Sequence, residues 1–444
     1  MFGKGIVVGA GIAGLATARI LADHFEQVLI LDADAILPEP QTRVGIPQGS
    51  HIHVLLPGGM EILSQLFPTL EKDLDAHGGL SAGPSEWYGL TSHGKTYRLS
   101  RFQPTPLERH AGAPSNRVQS RALLEHCIRS QVEALPNVEC RYQARVTGPL
   151  LKDGAVIGVC VAPDDQEVGA DLVIDASGRV SQTLGWLDAL GLPRPRNEAI
   201  HCDFAYCSAT FQPQSPDAFT DVGFLISSAR KGPYTKRAGS LARMEDGQWL
   251  VTLAGRLGDH PPKDLAGFHA HVDSLHDPKI SDLLKDADLV SGPRQYLFPK
   301  SLRRRYDQLT RFPGGVLPIG DAICHINPGY SQGMSLALRQ AAALDQTLRS
   351  RKARNQPLQE IWRDFLPGAY EQTRAPWVFA ALQDFSKEGT TGDFPDEEQA
   401  IAQIKRLSRR ADRGDSAAAG LVDGLFDMQF SLSKLDELGT DPQA

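Results

Sequence analysis

Residues 3–34, GKGIVVGAGIAGLATARILADHFEQVLILDAD, constrain the fold of this chain more than any other stretch. A short apolar run at 6–8 reads as a buried parallel strand, and a second at 28–31 ends on Asp32. Between them Gly9, Gly11 and Gly14 form G-x-G-x-x-G and open a helical pattern from Ile12 to about residue 23. The glycines serve three ends in turn, namely a tight turn, a backbone that comes close to a pyrophosphate, and tight packing of helix on strand. Phosphates then sit on the positive end of the helix, beside Ile12 and Ala13. Asp32 falls eighteen residues after Gly14, where an acid accepts a hydrogen bond from an adenosine ribose. A lone glycine motif says little; strand, turn, helix, strand and acid in this order point to a dinucleotide site.

The 444 residues leave room for two or three domains, and 41% hydrophobic with 22% charged residues is ordinary for a globular protein. A net charge of −7 argues against a nucleic-acid partner. No apolar run approaches the roughly 18 residues that span a bilayer, so no stable membrane insertion is expected. The chain enters its first strand at once, which leaves no signal peptide and suggests a cytoplasmic protein. Six cysteines are scattered without a C-x-x-C pair, so neither a disulfide framework nor a metal site is expected.

Residues 43–59, RVGIPQGSHIHVLLPGG, open with Gly45, Pro47 and Gly49, which break regular structure. His51 and His53 alternate and suit one side of a strand, or an ordinary loop; with no third ligand they are poor evidence for a metal. Arg43, eleven residues after Asp32, is placed to return over the dinucleotide and reach ribityl or phosphate oxygens. Ser120 reads as the N-cap of a helix over 121–135, with Arg121 in its first turn. A cation there opposes the helix dipole unless an anion shares the site, which suggests a phosphate or flavin-edge contact.

Strands at 138–146 and 155–161 with a Gly/Pro turn between them read as a meander, and 170–175 returns as a buried strand. The block 201–296 carries strand patterns at 204–211, 223–228, 239–244 and 249–255, as expected for a larger antiparallel sheet that roofs a pocket. A further strand ends on Gly320-Asp321, and the loop from Pro328 to Gly333 and Met334 feeds a helix over 335–349. An acid beyond a strand end binds sugar or ribityl hydroxyls. The helix end faces developing negative charge, such as that on reduced flavin around N1 and O2. The tail, 359–438, reads as mostly helical, with 405–413 as a solvated basic face.

Gly9-Ala10-Gly11-Ile12-Ala13-Gly14, Gly320-Asp321-Ala322 and Pro328 to Gly333 resemble the para-hydroxybenzoate hydroxylase-type FAD monooxygenases. Residues 44–56 resemble the bacterial squalene-epoxidase-like branch with its polyether-type epoxidases, as do Pro376-Trp377, Asp384-Phe385 and Thr391-Gly392. The resemblance implies an α/β fold in which a Rossmann-like FAD domain (1–75, 111–185 and 300–350) interleaves with an antiparallel-sheet substrate domain (76–110 and 186–299), followed by a helical C-terminal region (351–444). It implies that Asp321 binds the ribityl chain, that Arg43 and Arg121 contact FAD, and that Gly333 and Met334 face the flavin pyrimidine edge. The activity implied is insertion of one atom of O2, by epoxidation or hydroxylation, into a hydrophobic small molecule of specialised metabolism through a flavin hydroperoxide. No obligatory acid or base follows from the sequence.

Two departures bear on electron supply. Ala176-Ser177-Gly178 replaces the family's A-D-G, removing an acid tied to pyrophosphate and NAD(P)H, and Ser331 stands where the flavin loop has glycine. With no second G-x-G-x-x-G, either NAD(P)H or a separate flavin reductase is the electron source. The alternatives are an FAD reductase of the geranylgeranyl-reductase type, a flavin halogenase, whose W-x-W-x-I-P stretch is absent, and a non-catalytic flavin-binding protein.

Overall fold

The first strand, Phe2–Val8, lies at the centre of a five-stranded parallel sheet, between Phe25–Leu31 and Leu172–Asp175. Val138–Arg141 extends the sheet on one side and Val316–Pro318 on the other. The computed structural model describes residues 1–36, 38–81, 88–92, 95–98, 117–215, 224–228, 236–433 and 435. Ile6, Val7, Leu29, Ile30, Val173 and Ile174 are all buried, the near-continuous apolar character that a parallel sheet covered on both faces demands. Helices Ile12–Ala22, Arg121–Glu133 and Gly333–Ala353 contribute to the same core.

Register is what makes this sheet a platform. Val8 pairs with both Leu31 and Asp175, and Asp175 with Pro318. Gly9, Asp32, Ala176 and the Gly320–Ala322 turn therefore emerge along one carboxyl edge, where open α/β sheets bind their ligands.

A second, seven-stranded sheet has the order Ala287–Phe298, Phe204–Pro213, Trp249–Arg256, Ala238–Arg243, Phe224–Ser228, Tyr88–Ser92 and Lys95–Arg98. It is antiparallel except where Phe224–Ser228 runs parallel to Tyr88–Ser92. Alternation gives it two unlike faces. Cys207, Ala209, Phe211, Val251 and Leu253 pack with Phe268 and Val272 of helix Leu265–Asp273 and with Ile280 of helix Lys279–Leu284. Tyr206, Thr252 and Ala254 line a cavity on the other side. Helices Ile361–Asp384, Glu398–Ala411 and Ser416–Phe426 form a third cluster around Val378, Phe379, Ile404 and Leu425. No helix among the described residues is long and apolar enough to cross a membrane.

Some expected elements change. Gly148 and Pro149 are not a turn but lie inside strand Val146–Lys152, Gly148 at a register shift. The turn is Asp153-Gly154, both at positive φ (50° and 79°), the conformation that a two-residue hairpin selects. The strand expected over 138–146 breaks after Arg141, and Gln143 has a φ of 55°. Leu70–Ala76 is an additional short helix. Gly223, Lys434 and 436–438, parts of expected elements, lie outside the described residues.

Candidate active site

The three motif glycines divide their labour. Gly9 has a φ of 103°, and a Cβ there would stand 2.6 Å from the Ala176 carbonyl oxygen. A Cβ on Gly14 would stand 1.8 Å from the Gly9 carbonyl oxygen, so Gly14 keeps the helix against the turn and does not line the cavity. Gly11 faces the cavity; a Cβ there would meet only the Ile46 Cδ1, at 3.7 Å. Ile12 and Ala13, in the first turn of the helix, line the cavity beside it.

Asp32 is fixed by its neighbours: Oδ2 accepts the Ala10 N–H at 2.6 Å, and Oδ1 accepts the Asp34 N–H at 2.9 Å. Arg43 lines the cavity and reaches this acid. Its guanidinium donates to Asp32 (3.1 Å), Asp34 (3.2 Å), Glu125 (2.7 Å) and the Ala10 carbonyl (3.0 Å). The structure thus makes Arg43 a clamp on Asp32, the acid expected to hold the ribose.

Ser120 caps its helix, accepting the Leu123 N–H at 3.0 Å. Arg121 follows, 8% exposed, with Nη2 3.1 Å from Glu125 and with Nη1 buried and without a hydrogen-bond partner. An unmet buried guanidinium donor costs about 1–3 kcal/mol or more, so the site favours an anionic or acceptor-rich ligand. Asp321 shows the reverse deficiency. It lines the cavity on the Gly320–Ala322 turn, and its carboxylate accepts no hydrogen bond from a described residue. Burial pushes its pKa up to about 6, against the pull of Arg179, Arg304 and Arg121. Gly320 supports the turn from behind: its φ is 66°, and its N–H donates to Gln340 Oε1 at 2.6 Å.

Pro328, Gly333 and Met334 all line the cavity, the last two at the start of helix Gly333–Ala353, whose first N–H groups have no intrahelical partner. The loop before it is braced by a buried acid from another helix. Asp384 Oδ1 accepts from Asn327 Nδ2 (3.0 Å), Tyr330 Oη (2.5 Å) and Arg256 Nη1 (3.4 Å). Desolvation raises its pKa. Ser331 has a φ of 59°. An unmet donor, an unmet acid, an open glycine and a helix end around one cavity fit the phosphates, ribityl hydroxyls and pyrimidine edge of FAD.

The same cavity, about 620 Å³, continues beneath the antiparallel sheet. Tyr206 and Tyr296 are cross-strand neighbours with rings stacked 5.5 Å apart, and Phe204 and Phe298 stand beside them. Arg179 lies over Tyr296 and Phe298, its guanidinium carbon 5.3 and 5.9 Å from the ring centroids. His51 and His53 are not in a strand; they follow the Pro47–Ser50 turn and precede helix Pro57–Leu66. His51 packs edge-on to Tyr206 at 4.5 Å, and its Nδ1 lies 2.7 Å from Ser208 Oγ. His53 donates from Nδ1 to the His51 carbonyl at 2.9 Å, near Arg121. Arg179, Ser208 and Thr252 carried no sequence signal as site residues, and Asp384 entered only through the Asp384-Phe385 resemblance, because strand register and helix docking bring them here.

No family model matches the chain. Protein Rv3254 of Mycobacterium tuberculosis is 32% identical over 411 residues, 87% of this chain and 81% of that protein. Squalene epoxidase 3 of Arabidopsis thaliana is 31% identical over 155 residues, 35% of this chain and 26% of that enzyme. Among solved structures, the flavin-dependent brominase Bmp2 has a TM-score of 0.64 at 15% identity, covering 98% of both chains. PqsL of Pseudomonas aeruginosa, described as a probable FAD-dependent monooxygenase, has a TM-score of 0.61 at 16% identity, covering 86% of this chain and 98% of that one. At such identities the structural likeness establishes the fold, while the first relative establishes kinship along most of the chain. The chain belongs to one family with Protein Rv3254, and its fold is that of the flavin-dependent brominase Bmp2 and of PqsL.

Proposed function

We propose that the protein inserts one oxygen atom of O2 into an apolar small molecule held beneath the aromatic sheet, by epoxidation or hydroxylation. The observation that carries this is a single cavity joining the dinucleotide cradle at Gly11 and Asp321 to the aromatic wall at Tyr206 and Tyr296. Gly11, Ile12, Ala13 and Arg121 would hold the phosphates, Asp32 the adenosine ribose, Asp321 the ribityl chain, and Gly333 with Met334 the pyrimidine edge. When bound, FAD supplies two-electron reduction of O2 and transfer of one oxygen atom, the other leaving as water.

The chain's own part is to orient the substrate and exclude water. Burial lowers the pKa of both His51 and His325 to about 3, so both imidazoles are neutral near pH 7 and neither serves as a general acid there. Burial raises the Tyr206 and Tyr296 phenols, which stay protonated. Such walls suit a reaction whose chemistry resides on a cofactor.

Ser177 bears on electron supply. Its hydroxyl donates to Asp175 Oδ1 at 2.5 Å and accepts the Gln182 N–H at 3.3 Å, so it is a turn residue that brings no charge to a nicotinamide dinucleotide. The hydroxyl thus caps a local N–H as an ordinary turn residue does, and only the missing acid and the missing second G-x-G-x-x-G favour a separate flavin reductase. The test is anaerobic stopped-flow mixing of FAD-loaded protein with NADH or NADPH, then aerobic turnover with a reductase added. Negligible bleaching, followed by oxygen uptake matched by an oxygenated product, is expected. Rapid bleaching by either nucleotide refutes the partner reductase. Reduction of substrate without oxygen uptake refutes the monooxygenase in favour of a reductase.

A further inference from the structure

His51 is 2% exposed and sits under the sheet at the end of a chain of hydroxyls. The Ile52 N–H donates to Thr252 Oγ1 at 3.1 Å, Thr252 Oγ1 lies 2.6 Å from Ser208 Oγ, and Ser208 Oγ lies 2.7 Å from His51 Nδ1. Ser208 and Thr252 are directly opposed on neighbouring strands, so the sheet itself holds the chain together.

The direction of the protons follows from counting them. Each hydroxyl has one hydrogen to give. Thr252 accepts from the Ile52 backbone, and Ser208 Oγ is its only acceptor among the described residues, so Thr252 donates to Ser208. Ser208 must then donate to His51 Nδ1. The reverse order would leave the Thr252 hydroxyl hydrogen with no acceptor among the described residues, a cost the inferred order avoids. With Nδ1 accepting, the neutral imidazole carries its hydrogen on Nε2. No described residue accepts from that nitrogen, and His51 lines the cavity between Tyr206 and Tyr296 (ring centroids 4.5 and 5.9 Å away). His53, two residues on, is fixed in the opposite sense, because its Nδ1 faces a carbonyl and must donate.

We propose that His51 Nε2–H is the polar anchor of the substrate pocket, and that the substrate is an apolar, unsaturated molecule bearing a neutral oxygen acceptor, a carbonyl or an ether. Ser208 and Thr252 are positioning residues that hold the imidazole in the donating tautomer. The assignment rests on the reading of this cavity as a substrate site. Burial, with His53 and Arg294 nearby, holds the ring neutral, so the anchor offers a hydrogen bond without a charge. The aromatic walls take the hydrocarbon, and the single N–H selects where its oxygen lies.

The test uses two probes of nearly the same shape, 2-acetonaphthone and 2-isopropenylnaphthalene, which differ in C=O against C=CH2. Each is titrated calorimetrically into FAD-loaded wild-type, His51→Phe and Thr252→Val protein. The ketone is expected to bind wild type roughly tenfold tighter than the alkene, although it is the more water-soluble of the two. His51→Phe should abolish or reverse that order. Thr252→Val keeps the shape of the wall but removes the hydrogen that orients Ser208, and should shrink the preference. A purely structural role would weaken both probes together and leave their ratio unchanged. A ketone that binds wild type no better than the alkene, including binding of neither, overturns the assignment, as does a preference that survives both substitutions. Oxygen uptake coupled to product is measured separately, so the anchor and the monooxygenase reading fail independently.

Discussion

Asp321 is held in an uncomfortable state that its ligand relieves. In the FAD-free protein its pKa lies at about 6, against an ordinary 3.8, because burial penalises the charged form. The folded value lies above the unfolded one. The folded state therefore gains from protonation, and that gain is full below about pH 4 and lost as pH rises through 6. Each tenfold change in proton affinity is worth about 1.4 kcal/mol, so ionising Asp321 costs the FAD-free fold about 3 kcal/mol at pH 7.5. Asp321→Asn removes that cost. With about 2.1 cal/mol/K of unfolding entropy per residue over 444 residues, the FAD-free variant should melt about 3 °C above wild type at pH 7.5. The advantage should shrink towards zero as pH falls to 4. The same substitution should weaken FAD at least tenfold, because each ribityl hydroxyl loses a bond to a carboxylate worth roughly 1.5–3 kcal/mol. Wild-type affinity for FAD should decline as pH falls through 6, and the variant's should not. Scanning fluorimetry without FAD and flavin-fluorescence titration across pH measure both halves. An FAD-free variant no more stable than wild type at pH 7.5, or an unchanged FAD dissociation constant, would sink the argument.

The motif glycines should separate binding from folding. Gly11→Val should fold but fail to take up FAD, since its side chain enters the cavity, whereas Gly14→Ala should lose about 4 kcal/mol or more through its clash with the Gly9 carbonyl and yield little soluble protein; circular dichroism with flavin content tells the two apart, and normal FAD binding by Gly11→Val refutes the first. Ser331→Gly should stabilise the protein by about 1 kcal/mol, because Ser331 occupies the left-handed region at a φ of 59°. Urea melts check it, and a destabilised variant would show that the serine hydroxyl matters more than the backbone.

What the sequence made legible was what is local. The strand-turn-helix at 2–22, the cap at Ser120 and the Gly320-Asp321 turn each sit within a few residues of their own signal, and each appears where that signal lay. The arginine opposing the helix dipole at 121 could be read as a demand for an anion, and the structure shows its unmet donor. Contacts set by long-range pairing stayed hidden. Ser208 meets Thr252, 44 residues away, only because their two strands align in one register. Asp384 meets Asn327 and Tyr330 only because the long helix ends against the flavin loop. The Gly148-Pro149 pair misled for a related reason: Asp153-Gly154 offered the better hairpin, and the earlier glycine was absorbed as an irregularity within a strand.

The stretch after helix Ser416–Phe426 is pinned by distant parts of the chain. The Gly58 N–H donates to the Asp427 carbonyl (3.0 Å), Arg339 Nε to that of Met428 (2.7 Å) and Gln332 Nε2 to that of Phe426 (3.0 Å). Phe426 itself lines the cavity that begins at Val8. On a ribosome, where domains fold as they emerge, the glycine turn at 9–14 is made well before this piece of wall. The cavity wall is incomplete until Phe426 has been synthesised and has docked. A chain truncated before helix Ser416–Phe426 should therefore emerge with its glycine turn intact and this part of the cavity wall missing.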